Sequence, residues 1–150
     1  MRFKNFPQAK SPLKTFSSIY KQCDYAYILE SAEGPRKLAR YSFVGVDPSL
    51  TVKVENGEVK LHDTVTGQET RERATDPLLT IRNLVENRVL TPGGVRFSGG
   101  AVGYISYDAV RYWEKLPEIA ADDLRFPSVE FAIFDDGIIF DHETGETVYY

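Results

Sequence analysis

Three residues near the start of the chain have side chains that can bind a small zwitterion. Glu30 and Ser31 follow the apolar run of residues 25–29, and Arg40 opens the next apolar run. A carboxylate can pair with an ammonium group, while a guanidinium and a hydroxyl can bind a carboxylate. Their spacing alone favours a simpler interpretation, in which Glu30 and Ser31 end a strand and Arg40 is a surface cation on the next strand.

The pattern of apolar residues predicts three helices around these positions. Residues 11–22 start with Ser-Pro, which is typical of a helix N-terminus, and their apolar side chains keep helical spacing. Residues 76–88 repeat this signal with Asp-Pro and predict a second helix. A shorter helix is expected over residues 108–115, with Asp108 as its N-cap.

Most of the remaining chain reads as short strands joined by turns. Apolar and polar residues alternate along several segments, and Asn56-Gly57 is a strong hairpin signal. Strands are expected at residues 24–29, 40–46, 50–54, 59–61, 101–105, 129–133, 138–140 and 147–150, and residues 68–75 are expected to form a loop or an edge strand. Because hairpins join most of them, the sequence predicts an α+β fold of mostly antiparallel sheets flanked by a few helices.

Composition limits the classes of function. The net charge of −4 argues against nucleic acid or an anionic membrane as a partner. No apolar run approaches the ~20 residues of a membrane-spanning helix. The single cysteine, Cys23, excludes an internal disulfide and fits a reducing compartment. We therefore expect a cytoplasmic protein.

Other patterns predict structure rather than chemistry. The glycine-rich residues 99–103 precede a strand and lack the spacing of a nucleotide-binding loop. His62 and His142 lie far apart, with no further ligands at metal-site spacing. Tyr107 and Trp113 are expected to supply packing area. No metal, cofactor or catalytic residue is expected in this chain.

The chain ends on two aromatic residues inside a predicted strand, residues 147–150. Domain termini usually lie in frayed polar segments, so this ending favours a domain that is cut short. We expect residues 1–150 to be a single truncated domain. The alternative is an edge strand that packs and stops there.

Three segments carry a family resemblance: Leu29-Glu30-Ser31-Ala32; Arg40-Tyr41-Ser42-Phe43-Val44-Gly45 with Asp47-Pro48; and Gly99-Gly100-Ala101-Val102-Gly103-Tyr104-Ile105-Ser106-Tyr107-Asp108 with Arg111, Glu114 and Leu116-Pro117. In residues, order and approximate spacing they resemble the N-terminal region of anthranilate synthase component I, one of the chorismate-utilising enzymes. The resemblance covers nearly all of the chain from about residue 11 onward.

The resemblance implies a role within a larger enzyme. That family converts chorismate and ammonia to anthranilate and pyruvate, with Mg2+, in tryptophan synthesis. A glutamine amidotransferase component supplies the ammonia. The residues that bind chorismate and Mg2+ lie in a C-terminal half that nothing in this chain matches. The implied partners are therefore that C-terminal half and the amidotransferase, and the chain alone is expected to be inactive.

The resemblance also implies part of a feedback site for L-tryptophan. Glu30 and Ser31 align with a Glu-Ser pair of the family, and Arg40 falls near one of its basic residues. Glu30 suits the ammonium of the amino acid, while Ser31 and Arg40 suit its carboxylate or nearby backbone. Other contacts would come from the C-terminal half, so we expect weak or no tryptophan binding by the chain alone.

Three alternatives stay open at this point. The chain could be a self-sufficient amino-acid-binding module, or it could belong to the related aminodeoxychorismate synthase component I. It could also be a structural domain that helps to recruit the amidotransferase.

Overall fold

The structure is a computed structural model that describes residues 4–5, 11–31, 39–73, 75–88, 99–117, 119 and 121–150. The α-helices are α1 (Pro12–Ile19) and α2 (Pro77–Arg88), and two 3-10 helices span Tyr20–Gln22 and Tyr107–Tyr112. The strands are β1 (Lys4–Asn5), β2 (Ala26–Leu29), β3 (Tyr41–Val46), β4 (Leu50–Glu55), β5 (Glu58–Asp63), β6 (Glu69–Arg73), β7 (Gly100–Ile105), β8 (Val129–Phe134), β9 (Ile138–Asp141) and β10 (Thr147–Tyr149). The Thr-Pro-Gly-Gly sequence of residues 91–94 predicts a loop, and these residues lie outside the part of the chain that the structure describes.

The described strands form two five-stranded sheets. The first has the order β1-β10-β9-β3-β2 and the second has the order β6-β5-β4-β8-β7. Every strand pair whose register is defined is antiparallel. This confirms the predicted α+β fold of mostly antiparallel sheets with few helices.

Contacts divide the chain into two compact units. The first unit comprises residues 1–48, 89–100 and 134–150, and the second comprises residues 49–88 and 101–133. The first sheet lies in the first unit, and the second sheet lies almost wholly in the second. The expectation of a single truncated domain stays a prediction.

The helix starts follow their sequence signals more closely than the helix ends. The Asp76 carboxylate accepts hydrogen bonds from the amides of Leu78 and Leu79 at 3.0 and 3.1 Å, as expected of an N-cap. The helix predicted to run to Gln22 is α-helical only as far as Ile19 and ends in a 3-10 turn. Tightening of the last turn is a common way for a helix to end.

The third predicted helix differs from expectation. It is a 3-10 helix over Tyr107–Tyr112, and Ser106 rather than Asp108 is its N-cap. Asp108 lies inside the first turn, where its carboxylate accepts a hydrogen bond from Arg111 at 3.0 Å. The expected packing role of Tyr107 is wrong, because 87% of this residue is exposed.

The core of the second unit is built from the inward faces of β4, β5 and β8. Its fully buried residues are β-branched side chains that suit a pleated surface: Val52, Val54, Val59, Val129 and Ile133. Ile81 of α2 is buried in the same cluster. This helix therefore contributes apolar surface to the sheet.

The first unit packs an aromatic ring over a glycine. Tyr27 of β2 lies directly opposite Gly45 of β3. A Cβ at Gly45 would approach the Tyr27 ring to 2.2 Å, so the ring occupies the space that a side chain would need. The ring of Tyr27 also makes an edge contact with Phe134, at 4.7 Å between centroids. Tyr27 is thus a central packing residue of the first sheet.

Two hairpins share the same turn, which the sequence encodes as Asp-x-x-Thr-Gly. In the β9–β10 hairpin, the Oδ1 of Asp141 accepts hydrogen bonds from the amides of Glu143 and Thr144, and the Thr144 hydroxyl accepts one from Glu146. Asp63 and Thr66 make the equivalent bonds between β5 and β6. The aspartate therefore fixes each turn through one carboxylate oxygen, and at Asp141 the second oxygen remains for another partner.

Candidate functional site

Ser31 is held at the end of β2 by the start of β3. Its amide donates to the Ser42 hydroxyl oxygen at 3.1 Å, and its own hydroxyl donates to the Tyr41 carbonyl at 2.9 Å. The register that pairs Leu29 with Phe43 brings these groups together. The Ser31 side chain therefore binds nearby backbone, which is one of the two roles that the sequence allowed.

Ser42 connects Ser31 to a histidine from the opposite end of the sequence. Ser42 is fully buried, and its hydroxyl oxygen lies 2.7 Å from Nε2 of His142. The Ser42 hydroxyl can accept the Ser31 amide and at the same time donate to, or accept from, Nε2, so it bridges the two residues in either tautomer of the imidazole. The His142 amide donates to the Arg40 carbonyl at 2.8 Å. This chain of hydrogen bonds ties the end of β2 to the β9–β10 hairpin.

The Arg40 guanidinium is bound by two carboxylates of the same hairpin. Its Nε donates to both oxygens of Asp141 at 3.1 to 3.2 Å, and its Nη2 donates to Oδ2 at 2.7 Å. Its Nη1 lies 3.0 Å from Glu143. The guanidinium also stacks over the Tyr41 ring, 4.9 Å from the centroid. Arg40 is thus held on two edges and one face.

The ion pair between Arg40 and Asp141 shifts the pKa of both side chains. The Arg40 hydrogen bonds, helped by the amides of Glu143 and Thr144, hold the pKa of Asp141 below its ordinary value, although partial burial opposes the shift. The same hydrogen bonds raise the pKa of Arg40. The side chain of Asp141 is only 13% exposed, whereas that of Glu143 is 55% exposed. Asp141 is therefore the firmer of the two carboxylate partners.

Glu30 and Ser31 line one cavity of about 710 Å3 in the first unit. Its other described lining residues come from the start of α1, the residue before Arg40 and the β9–β10 hairpin: Ser11, Pro12, Ala39, Phe140, Asp141, His142, Gly145, Glu146 and Thr147. Glu30 is exposed, and no side-chain partner is defined for its carboxylate among the residues that the structure describes. The cavity can therefore offer an exposed carboxylate, a histidine ring and backbone groups to a small molecule.

The structure brings two of the three predicted site residues onto the same wall. Arg40 is next to this wall but is not among the described lining residues, because its guanidinium turns to Asp141 and Glu143. The ligand roles of Glu30, Ser31 and Arg40 stay predictions. Asp141 and Glu143 already neutralise part of the Arg40 charge, so a ligand carboxylate would be attracted to it less strongly than to an unpaired guanidinium.

Sequence reasoning missed His142 and Asp141 as members of this site. They lie about 100 residues from Ser42 and Arg40 along the chain, and only the pairing of β3 with β9 brings them together. The one local signal was the Asp-x-x-Thr-Gly turn. It predicts a turn, but it does not predict which cation the aspartate will bind.

The described residues contain no group of three or more His, Cys, Asp or Glu side chains that could hold a metal ion. No helix in the described part of the chain is long and apolar enough to cross a membrane.

Comparison with known proteins relates this fold to a family. A family model for chorismate binding enzymes matches residues 24–150. Anthranilate synthase component 1 of Methanothermobacter marburgensis is 35% identical over 140 residues, which are 93% of this chain and 29% of that protein. Aminodeoxychorismate synthase component 1 of Bacillus subtilis is 33% identical over 138 residues, with coverage of 91% and 28%.

A solved structure agrees with the sequence matches. The crystal structure of anthranilate synthase component I from Streptococcus pneumoniae superposes with a TM-score of 0.59 at 25% identity, covering 92% of this chain and 28% of that one. The chain therefore spans less than a third of the length of these relatives.

Proposed function

Because the chain belongs to the family of chorismate binding enzymes, we propose that residues 1–150 form the N-terminal, regulatory part of an anthranilate synthase component I. The complete enzyme would convert chorismate and ammonia to anthranilate and pyruvate in the cytoplasm, as a lyase of tryptophan biosynthesis. Its partners would be the C-terminal part of the same enzyme and a glutamine amidotransferase that supplies ammonia. Similarity to component 1 proteins over 93% of the chain supports this assignment.

The chain alone is proposed to be inactive. Mg2+ would serve the complete enzyme, but the described residues do not form a set of ligands that fits this ion, so we assign it no residue here. We also assign no catalytic residue. The contribution of this part is then regulation rather than chemistry.

The observation that carries the regulatory proposal is the shared cavity of Glu30 and Ser31. An α-amino acid presents an ammonium and a carboxylate on one carbon. The Glu30 carboxylate would bind the ammonium of L-tryptophan, because an exposed carboxylate that has no cation partner among the described residues gains a charge-assisted hydrogen bond there. Ser31 would position the adjacent backbone through its bond to the Tyr41 carbonyl.

Arg40 would take part through the edge that faces Glu143. A guanidinium carries five N–H donors, so Arg40 can keep Asp141 while it exchanges Glu143 for the carboxylate of a ligand. Glu143 is the partner to exchange. More than half of its side chain is exposed, so solvent screens its attraction to Arg40 and little free energy is lost when it leaves. Asp141 would meanwhile hold the guanidinium in place.

Feedback inhibition requires that tryptophan binds one conformation of the enzyme better than another. A cavity whose remaining walls come from another part of the enzyme would sense the relative position of the two parts. The isolated chain would then bind tryptophan weakly, because only part of the wall is present.

The test is a titration of the 150-residue chain, followed by amide resonances in NMR spectra. L-tryptophan is compared with indole-3-propionate, which lacks only the ammonium. We expect weak, saturable shifts around Glu30 and His142, with a dissociation constant of about 1 mM or above, as suits a partial site. Glu30→Ala should weaken binding of L-tryptophan and leave indole-3-propionate unchanged. Glu72→Ala, at an exposed position of β6 in the second unit, is the matched control.

The outcomes separate the proposed function from its rivals. Binding at about 10 µM or tighter would favour the self-sufficient amino-acid-binding module. Equal weakening of both ligands by Glu30→Ala would mean that Glu30 does not face the ammonium, and saturable shifts confined to residues away from Glu30 would refute the site. Similarity to an aminodeoxychorismate synthase component 1 keeps that enzyme as a second candidate, and the product formed by the complete enzyme decides between the two.

A further inference from the structure

The sheet of the second unit has two edges of opposite character. At one edge, all five residues of β6 are exposed and four of them are charged: Glu69, Arg71, Glu72 and Arg73. At the other edge, residues 101–105 of β7 carry no charge. Charged side chains keep an edge strand from pairing with another chain, whereas an uncharged apolar edge is free to pair. Only the β6 edge is therefore protected.

The unprotected edge continues into exposed apolar residues. Of the fifteen large hydrophobic residues recorded as exposed in the described chain, eight lie between residues 104 and 126. They include Ile105 at 48%, Tyr107 at 87%, Leu124 at 70% and Phe126 at 67% exposure. Exposed apolar side chains at this density along the chain differ from the single, scattered ones of an ordinary protein surface.

The backbone of β7 has hydrogen-bonding groups to offer at this edge. The Ser106 amide donates to the Ser128 carbonyl at 2.9 Å, so it faces β8. Because amides alternate in direction along a strand, those of Ala101, Gly103 and Ile105 face away from β8. Among the described strands, β7 is the last in its sheet. A further strand could therefore pair with these three amides.

We propose that a β-strand from the remaining part of the longer enzyme pairs with the outer edge of β7 and covers exposed apolar side chains at and just after its end, such as Ile105 and Tyr107. The chain spans only 28 to 29% of its longer relatives, so such a strand would be available in a protein of their length. A mostly apolar strand fits, because this edge offers no charge for a partner to match. The inference rests on the proposed membership of a longer polypeptide, but its tests require neither chorismate nor tryptophan.

The experiment mixes the 150-residue chain with the part of Methanothermobacter marburgensis anthranilate synthase component 1 that lies outside the matched 29%. Association is measured by analytical ultracentrifugation, and amide hydrogen exchange is followed across residues 101–105. The test variant is Ile105→Lys, which adds to β7 the kind of charge that β6 carries. The control variant is Val65→Lys, at an apolar position that is 82% exposed in the β5–β6 turn.

We expect a complex in which exchange at Ala101, Gly103 and Ile105 slows by about tenfold or more. Ile105→Lys should weaken association by about tenfold or more, because burial of an isoleucine is replaced by burial of a charge. Val65→Lys should have no effect. The isolated chain should exchange these three amides rapidly.

Four results would overturn the proposal. The first is that the wild-type chain does not bind the added polypeptide. The second is a complex that forms without slower exchange in β7, and the third is equal association of the Ile105→Lys and Val65→Lys variants. The fourth is an isolated chain that is a dimer and becomes monomeric with Ile105→Lys, which would assign this edge to a second copy. None of these results depends on ligand binding near Glu30, so they leave the proposed inhibitor site untouched.

Discussion

The ion pair between Arg40 and Asp141 is expected to contribute about 1 kcal/mol to the stability of the first unit. A hydrogen bond to a charged group contributes about 1.5–3 kcal/mol, whereas an exposed ion pair contributes about 0–1 kcal/mol. This pair lies between the two limits. Asp141 is largely buried, but 38% of the Arg40 side chain is exposed, so solvent screens part of the attraction.

A double-mutant cycle isolates that contribution. Arg40→Gln and Asp141→Asn each remove one charge, and asparagine keeps the Oδ1 that accepts the amides of Glu143 and Thr144. The turn therefore stays capped while the ion pair is lost. The coupling energy is the part of the loss that the two substitutions share. A second cycle with Glu143→Gln should give less than about 0.5 kcal/mol, since that contact is single and exposed.

The chain provides its own reporters for the assay. It contains two histidines, His142 in the first unit and His62 in the second. Urea unfolding followed by the imidazole resonances reports each unit separately. The Arg40–Asp141 cycle should move the His142 transition and leave the His62 transition unchanged. A coupling energy of zero at His142, or a larger coupling for Glu143 than for Asp141, would refute the reasoning.

Three further predictions follow from the first unit. Because the pKa of Asp141 is lowered in the folded state, its contribution is present above about pH 4. It disappears as the pH falls through the folded value, so urea midpoints of wild type and Asp141→Asn should converge at the acid end of the titration. Gly45→Ala should cost about 1–3 kcal/mol by forcing the Tyr27 ring aside, visible as an earlier His142 transition. Burial and the Tyr150 hydroxyl raise the pKa of Tyr27. Stability should therefore fall above about pH 10, where the unfolded phenol ionises, and Tyr27→Phe should reduce this fall in alkaline urea titrations.

The parts of the fold that could be predicted are those that neighbouring residues decide. The Asp76-Pro77 start of α2 and the Asn56-Gly57 turn depend on the conformations of a few adjacent residues, and both occur where the sequence places them. The alternation of apolar and polar residues along a strand likewise indicates which face of the strand is buried. Antiparallel sheets then follow, because tight turns join consecutive strands.

The parts that could not be predicted depend on distant partners. Whether residues 107–112 form an α-helix or a 3-10 helix depends on how their ends are held, and Ser106 is fixed by the Ser128 carbonyl of a later segment. The hydrogen bond from Arg40 to Asp141 joins residues 101 positions apart. The periodicity of apolar residues reports local structure, so it does not predict a contact between residues this far apart in the sequence.

Some features of the candidate site could also be predicted from the sequence, and others could not. The Glu30-Ser31 pair could be selected from its residue types and from the family resemblance. The neutralisation of Arg40 and the link from Ser42 to His142 both need the register of β3 with β9. A sequence pattern can therefore suggest which groups are present, but it cannot say which of them are already bound to one another.

The most direct test of the central claim measures feedback in a complete enzyme. The matched 29% of Methanothermobacter marburgensis anthranilate synthase component 1 is replaced by this chain, and anthranilate formation from chorismate and ammonia is followed with increasing L-tryptophan. We predict an enzyme that tryptophan inhibits, and a Glu30→Ala variant that keeps its activity but loses most of the inhibition. Unchanged inhibition of the Glu30→Ala variant would contradict the account.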